Sequence, residues 1–216
     1  MIFWVIYLST KYPTRNLTDP TIYDIKLEIG QLLHVEVGRQ KITHDGVEVE
    51  NNTLRAEDYG IRDNDEIFLS VKKAFYIEAN APAKYYLTIW DDQTILKLKR
   101  EIWILTGMAV DRMELSYIQQ KLDDDKKIMT YQIPDEATID AVEMYDLEVK
   151  GSNGNYRLKV HEMMTIGQVK EKLHVDYGLD HETLTLERAY SRGFFRDDEH
   201  LSAHHYQVMT AVGGGS

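Results

Sequence analysis

The apolar positions of the chain fall into a pattern that recurs three times. TIYDIKLEI begins at Thr21, TILKLKREI at Thr94 and TIGQVKEKL at Thr165, each obeying T-I-x-x-aliphatic-K-x-x-aliphatic. Steps of three and four residues align Ile22, Ile25 and Ile29, then Ile95, Leu98, Ile102 and Leu105, then Ile166, Val169 and Leu173, each set on one helix face. The threonine ahead of each run is an N-cap, whose hydroxyl accepts an amide hydrogen that the first turn leaves unpaired. Asp24 and Gln168 stand where a capping-box partner belongs. One such match is what any amphipathic helix gives; three at near-equal spacing define an internal repeat.

Strand-like runs surround each helix. Before them lie Ile2–Leu8 with Arg15–Leu17, Phe75–Ala79 with Tyr85–Trp90, and Tyr145–Val149 with Tyr156–His161. The intervening Ser9-Thr10-Lys11, Ala81-Pro82-Ala83 and Gly151–Gly154 read as hairpin turns. After them come Gln40–Thr43, Glu114–Ile118 and Thr183–Glu187, and then a closing strand: Glu66–Val71, Thr138–Val142 and Tyr206–Val212. The order β-β-α-β-β predicts an α+β unit in which one helix covers one face of a mixed sheet. Only a few residues join a closing strand to the next opening strand, which predicts restricted orientations.

The residues that recur also resemble those of the ubiquitin family. The T-I-x-x-V-K-x-x-I helix motif is that family's. Its glycine after the helix, with a core leucine following at fixed spacing, has counterparts in Gly107…Leu115 and Gly178…Leu186, while His34 holds the position in the first repeat. Its Y-x-I followed by a core aliphatic recurs as Tyr59-Gly60-Ile61…Ile67 and Tyr131-Gln132-Ile133…Ile139; the third repeat lacks the tyrosine. The resemblance implies three tandem ubiquitin-like β-grasp domains, 1–73, 74–144 and 145–212, and a Gly-rich tail, 213–216.

Composition narrows the chemistry. There are no cysteines, so disulfides, thiol nucleophiles and Cys-ligated metals are excluded. The formal net charge of −11 argues against binding a phosphate backbone, which needs a basic face. MIFWVIYL is far shorter than the about 20 residues of a spanning helix and lacks signal-peptide flanks. A cytoplasmic protein without membrane or nucleic-acid partners is expected. No H-E-x-x-H, G-x-S-x-G or Gly-rich phosphate loop is present, so no catalytic set, metal site or cofactor is expected. His181, His200, His204 and His205 read as surface histidines. Asp91-Asp92, Asp123–Asp125 and Asp197-Asp198 read as turn residues. Lys26, Lys99 and Lys170 match a largely buried family lysine and are expected to be structural and ion-paired.

The resemblance implies function at two places. Gly214-Gly215 match the family's terminal Gly-Gly, with Ser216 trailing. The implied function is that of a protein modifier: a peptidase removes Ser216, and the Gly215 carboxylate is joined to target amines. Multi-domain modifiers of this kind are similar to those of bacterial operons that also encode an activating enzyme, a conjugating enzyme and a metallopeptidase, associated with phage defence. The alternative is a non-conjugated assembly or adaptor protein. At the centre of the family's reader surface stand Thr43, Ser116 and Glu187, all polar, so readers of the usual kind lose their central contact. The second place is MIFWVIYL itself. Met1, Phe3, Val5 and Tyr7 are expected to face the helix, leaving Ile2, Trp4 and Ile6 on the outer face. They are expected to meet either another part of the chain or a second copy of the protein in a homo-oligomer.

Overall fold

A computed structural model describes residues 1–79, 84–151, 154–180, 184–188, 194–201 and 209–212. In chain order the elements are β1 (Trp4–Tyr7), β2 (Thr10–Pro13), α1 (Ile22–Leu33), β3 (Gln40–His44), β4 (Val47–Glu48), β5 (Glu66–Ala79), β6 (Lys84–Trp90), α2 (Ile95–Thr106), β7 (Met113–Tyr117) and β8 (Gln120–Lys121). There follow β9 (Ala137–Glu143), β10 (Tyr145–Gly151), β11 (Gly154–Val160), α3 (Ile166–Tyr177), β12 (Thr185–Arg188) and β13 (Met209–Val212). One sheet runs β2-β1-β5-β9-β7-β8, with β3 and β6 also paired to β5; the other runs β11-β10-β13-β12. The chain divides into two compact units. The first holds Met1–Glu78, Lys84–Thr106 and Ser116–Asp140; the second holds Ala79, Gly107–Leu115 and the described residues from Ala141 onward.

The helix repeat is real down to individual hydrogen bonds. Thr21 and Thr165 are N-caps with complete capping boxes, and the Lys97 amide donates to Thr94 Oγ1 at 3.2 Å. Ile22, Ile95 and Ile166 each donate their amide to a later loop, at the carbonyls of Leu54, Lys126 and Glu199. The next residues, Tyr23, Leu96 and Gly167, donate to Asn52, Asp124 and Asp197. The tyrosine motif repeats likewise: Tyr59 Oη accepts from the Asn51 amide at 2.9 Å, and Tyr131 Oη from Asp123 at 2.7 Å. His34, Gly107 and Gly178 follow the helices with φ of 57°, 77° and 72°, the left-handed conformation that ends a helix.

Two expectations shift. The second strand is Thr10–Pro13 rather than Arg15–Leu17, because the turn falls at Leu8-Ser9, both with positive φ. That two-residue turn matches the right-handed twist of a hairpin, and the register is Trp4 opposite Pro13 through Tyr7 opposite Thr10. Leu105 lies 41% exposed at the end of α2, while the next residue, Thr106, is half-buried and its hydroxyl donates to the Ile102 carbonyl at 2.9 Å.

No joint separates the first closing strand from the second opening strand. Both are parts of β5. Ile67, Leu69 and Val71 lie in a core with Phe3, Val5, Ile22, Ile25 and Ile29. Phe75 and Ile77, farther along the same strand and in the same odd-numbered phase, are fully buried. Alternation in a strand has period two, so one face of β5 serves both stretches. The second unit has its own core, where α3 contributes Ile166, Val169 and Leu173 against Leu147, Val149, Leu158 and Val160.

Candidate interaction surface

The outer face of β1 follows from alternation. Phe3 and Val5 are 0% exposed, and Met1 and Tyr7 pack against the same core. Ile2, Trp4 and Ile6 therefore point the other way: Ile2 is 37% exposed, and Trp4 and Ile6 are half-buried. Ile6 lies opposite Lys11 on β2 and Phe68 on β5, and Trp4 opposite Pro13 and Glu66. Phe68, 47% exposed, extends the apolar strip across the sheet. An ion pair between Lys11 and Glu66 joins the two strands that flank β1. Its lysine stem adds apolar cover to this face. Thr43, Ser116 and Glu187 are each half-buried on strands β3, β7 and β12.

A second constellation sits where the pairing of β5 with β3 on one edge ends and its pairing with β6 on the other edge begins. Trp90, opposite Lys72 on β5, lies beneath two cations: Lys41 Nζ is 5.3 Å and Lys72 Nζ 5.9 Å from its ring centroid. Lys41 is ion-paired with Asp92. Asp91 lies in the turn after β6, as expected, but its partners are remote along the chain rather than local. It is 0% exposed; Oδ1 accepts from the Val71 amide at 2.8 Å and Oδ2 from the Tyr7 hydroxyl at 3.1 Å. Burial pushes its carboxyl above the usual range, opposed by the Val71 amide, the Tyr7 hydroxyl and Lys73. The Tyr7 hydroxyl is pushed up in turn, by its own burial and then by the Asp91 charge. Sequence reasoning missed this group because its partners are remote along the chain.

The other singled-out residues have structural surroundings. Lys99 and Lys170 pair with Asp124 and Asp197, each at 2.6 Å. Lys26 is equally buried, but burial lowers its ammonium pKa and only the charge of Glu48 opposes this. His200 Nδ1 lies 2.9 Å from the Met163 carbonyl oxygen. Gly214, Gly215, Ser216, His181, His204 and His205 lie outside the described residues. Among the described residues no helix is long and apolar enough to cross a membrane.

Comparison with known proteins adds the fold. The ubiquitin family model matches residues 80–143. Over that stretch the fold is ubiquitin-like. The crystal structure of the UBL domain of Plasmodium falciparum Dsk2 is 18% identical, covering 34% of this chain and 99% of that one, with a TM-score of 0.33. No curated protein matches.

Proposed function

We propose that this chain is a ubiquitin-like protein modifier built from three β-grasp domains and joined to target amines through Gly215. What supports the reading is the threefold recurrence of the helix cap and of the loop carbonyls that receive its first amides. Added to this is the place of the Gly-Gly pair, which follows β13, the strand that pairs parallel with β10. In this reading a metallopeptidase hydrolyses the Gly215–Ser216 bond. The freed carboxylate attacks ATP, giving an acyl-adenylate and pyrophosphate. A cysteine thiolate of an activating enzyme displaces AMP, and a conjugating enzyme passes the thioester to a lysine amine. Glycine suits the step because it carries no side chain into a narrow channel. The test is the chain ending at Gly215, mixed with a cognate activating enzyme and ATP. A thiol-sensitive adduct is expected with Gly215 and not with Gly215→Arg; its absence from the former would sink the modifier reading.

The second reading is an adaptor that works by binding alone. The observation favouring it is the apolar strip of Ile2, Trp4, Ile6 and Phe68, which suits a contact surface whether or not the tail is conjugated. In either reading we assign this strip to self-association of the protein.

A further inference from the structure

We propose that α1 and α2, with the strands β1, β3, β5 and β6 that carry them, form a single rigid body closed by a three-point lock. The inference stands apart from the fate of Gly215. Its first ground is β5. A strand that leaves one core and enters the next without a break has no linker in which to bend, and its residues Gln40-facing Val71 and Trp90-facing Lys72 are paired in immediate succession. Pairing with β3 on one edge therefore ends at Val71, and pairing with β6 on the other begins at Lys72, so no residue of the junction is without a strand partner.

Strand continuity alone would still allow twisting. Three side-chain ties oppose it, and each joins the α1 half to the α2 half. Asp91 reaches from the end of β6 to the Val71 amide and the Tyr7 hydroxyl of β1. Lys41 of β3 pairs with Asp92. On the far side, Arg39 bonds both the Lys72 carbonyl and Asp135 Oδ1, each at 2.7 Å, and that same oxygen accepts the Ala74 amide at 2.8 Å. Lys73 Nζ adds a 2.6 Å bond to the Ile133 carbonyl, and the Glu136 amide one to the Ala74 carbonyl at 2.8 Å. The ties reach β1, β3 and the loop before β9, so rotation about the β5 axis stretches at least one of them. Asp91 is the central tie, being fully buried, while Arg39 and Asp135 are partly exposed.

The chain's lack of cysteine makes the test direct. Tyr23→Cys on α1 and Trp103→Cys on α2, 47% and 52% exposed, give two unique sites for spin labels in the full chain. Pulsed dipolar spectroscopy should give one narrow distance distribution. Asp91→Ala with Asp135→Ala should at least double its width, while the amides of α1 and α2 stay protected from hydrogen exchange. A broad distribution in the labelled parent overturns the rigid body. A distribution as narrow in the double variant as in the parent overturns the lock. Should the double variant lose helix protection, Arg39→Ala takes its place under the same two criteria.

Discussion

Lys99 Nζ lies 2.6 Å from Asp124 Oδ1, tying the buried stem of an α2 lysine to the loop that caps the same helix. Lys170 and Asp197 repeat the pair in the third motif. In the first motif the corresponding loop residue is Asn52, whose carbonyl receives the Tyr23 amide while its buried side-chain oxygen has no hydrogen-bond partner. Lys26 is left with a depressed pKa. Asn52→Asp should create the pair in the first motif and raise the unfolding free energy by about 1 kcal/mol, less than a fully buried charged hydrogen bond gives because the matching Asp124 carboxylate is half exposed. Asp124→Asn should lower it by a similar amount. Urea titration of the two variants checks both signs.

His34 ends α1 with φ 57°, a conformation that costs a residue with a Cβ but not glycine. His34→Gly should stabilise the chain by about 1 kcal/mol. Gly178→Ala should destabilise by about the same amount, because no neighbouring atom meets the added Cβ and only the backbone angle is at issue. Thermal melts of the pair separate the backbone effect from packing.

Asp91 holds two donors that have no other described acceptor in its buried site. Asp91→Ala should cost about 1–3 kcal/mol for the stranded Val71 amide alone. Asp91→Asn should cost far less, since its amide oxygen still accepts from Val71 and its NH2 can donate to the Tyr7 oxygen. Denaturant midpoints of the two variants should differ in that order.

The same carboxyl carries a pH signature. Its folded pKa is raised, so the folded state binds more protons than the unfolded one between the ordinary carboxylate value of about 3.9 and the raised value. The stability this group contributes is fully present below that ordinary value and is lost as pH rises through the raised one. Tyr7, Lys73 and Asp92 are the titratable groups that act on it. Glu28 and Asp135, both depressed, act in the opposite sense, losing their contribution as pH falls. The informative quantity is therefore the difference between the parent and Asp91→Asn, which should shift in favour of the variant as pH rises. A flat difference would contradict the assignment.

Trp4→Glu places a charge on the half-buried outer face of β1 and leaves Phe3 and Val5 in the core. The variant should keep its circular dichroism and lose self-association, read by light scattering at tens of micromolar protein. A parent protein that is monomeric there would remove the oligomer.

What was legible in the chain was local. Thr21, Thr94 and Thr165 announce their helices because a cap and its partner lie three residues apart. Phe3 and Val5 could be placed inward because a strand's alternation is also local. The first hairpin was misplaced because Leu8-Ser9 is not turn chemistry; the left-handed conformation there is imposed by the pairing on either side. The remote partners of the turn residue Asp91 are hidden from the sequence for a related reason. An aspartate at the end of a strand looks the same whether it faces water or, as here, Tyr7 and Val71. Only the meeting of β1, β5 and β6 distinguishes the two.

The unbroken course of β5 bears on how this chain can be cut. A peptidase cleft grips several residues of extended chain and bonds along their edges, so it needs a strand with an edge to spare. Along β5 both edges are already engaged, by β1 and β6 on one side and by β3 and β9 on the other. The stretch from Ser70 to Ala74, where a string of separable copies would offer a cleavage point, thereby has no edge free to enter such a cleft.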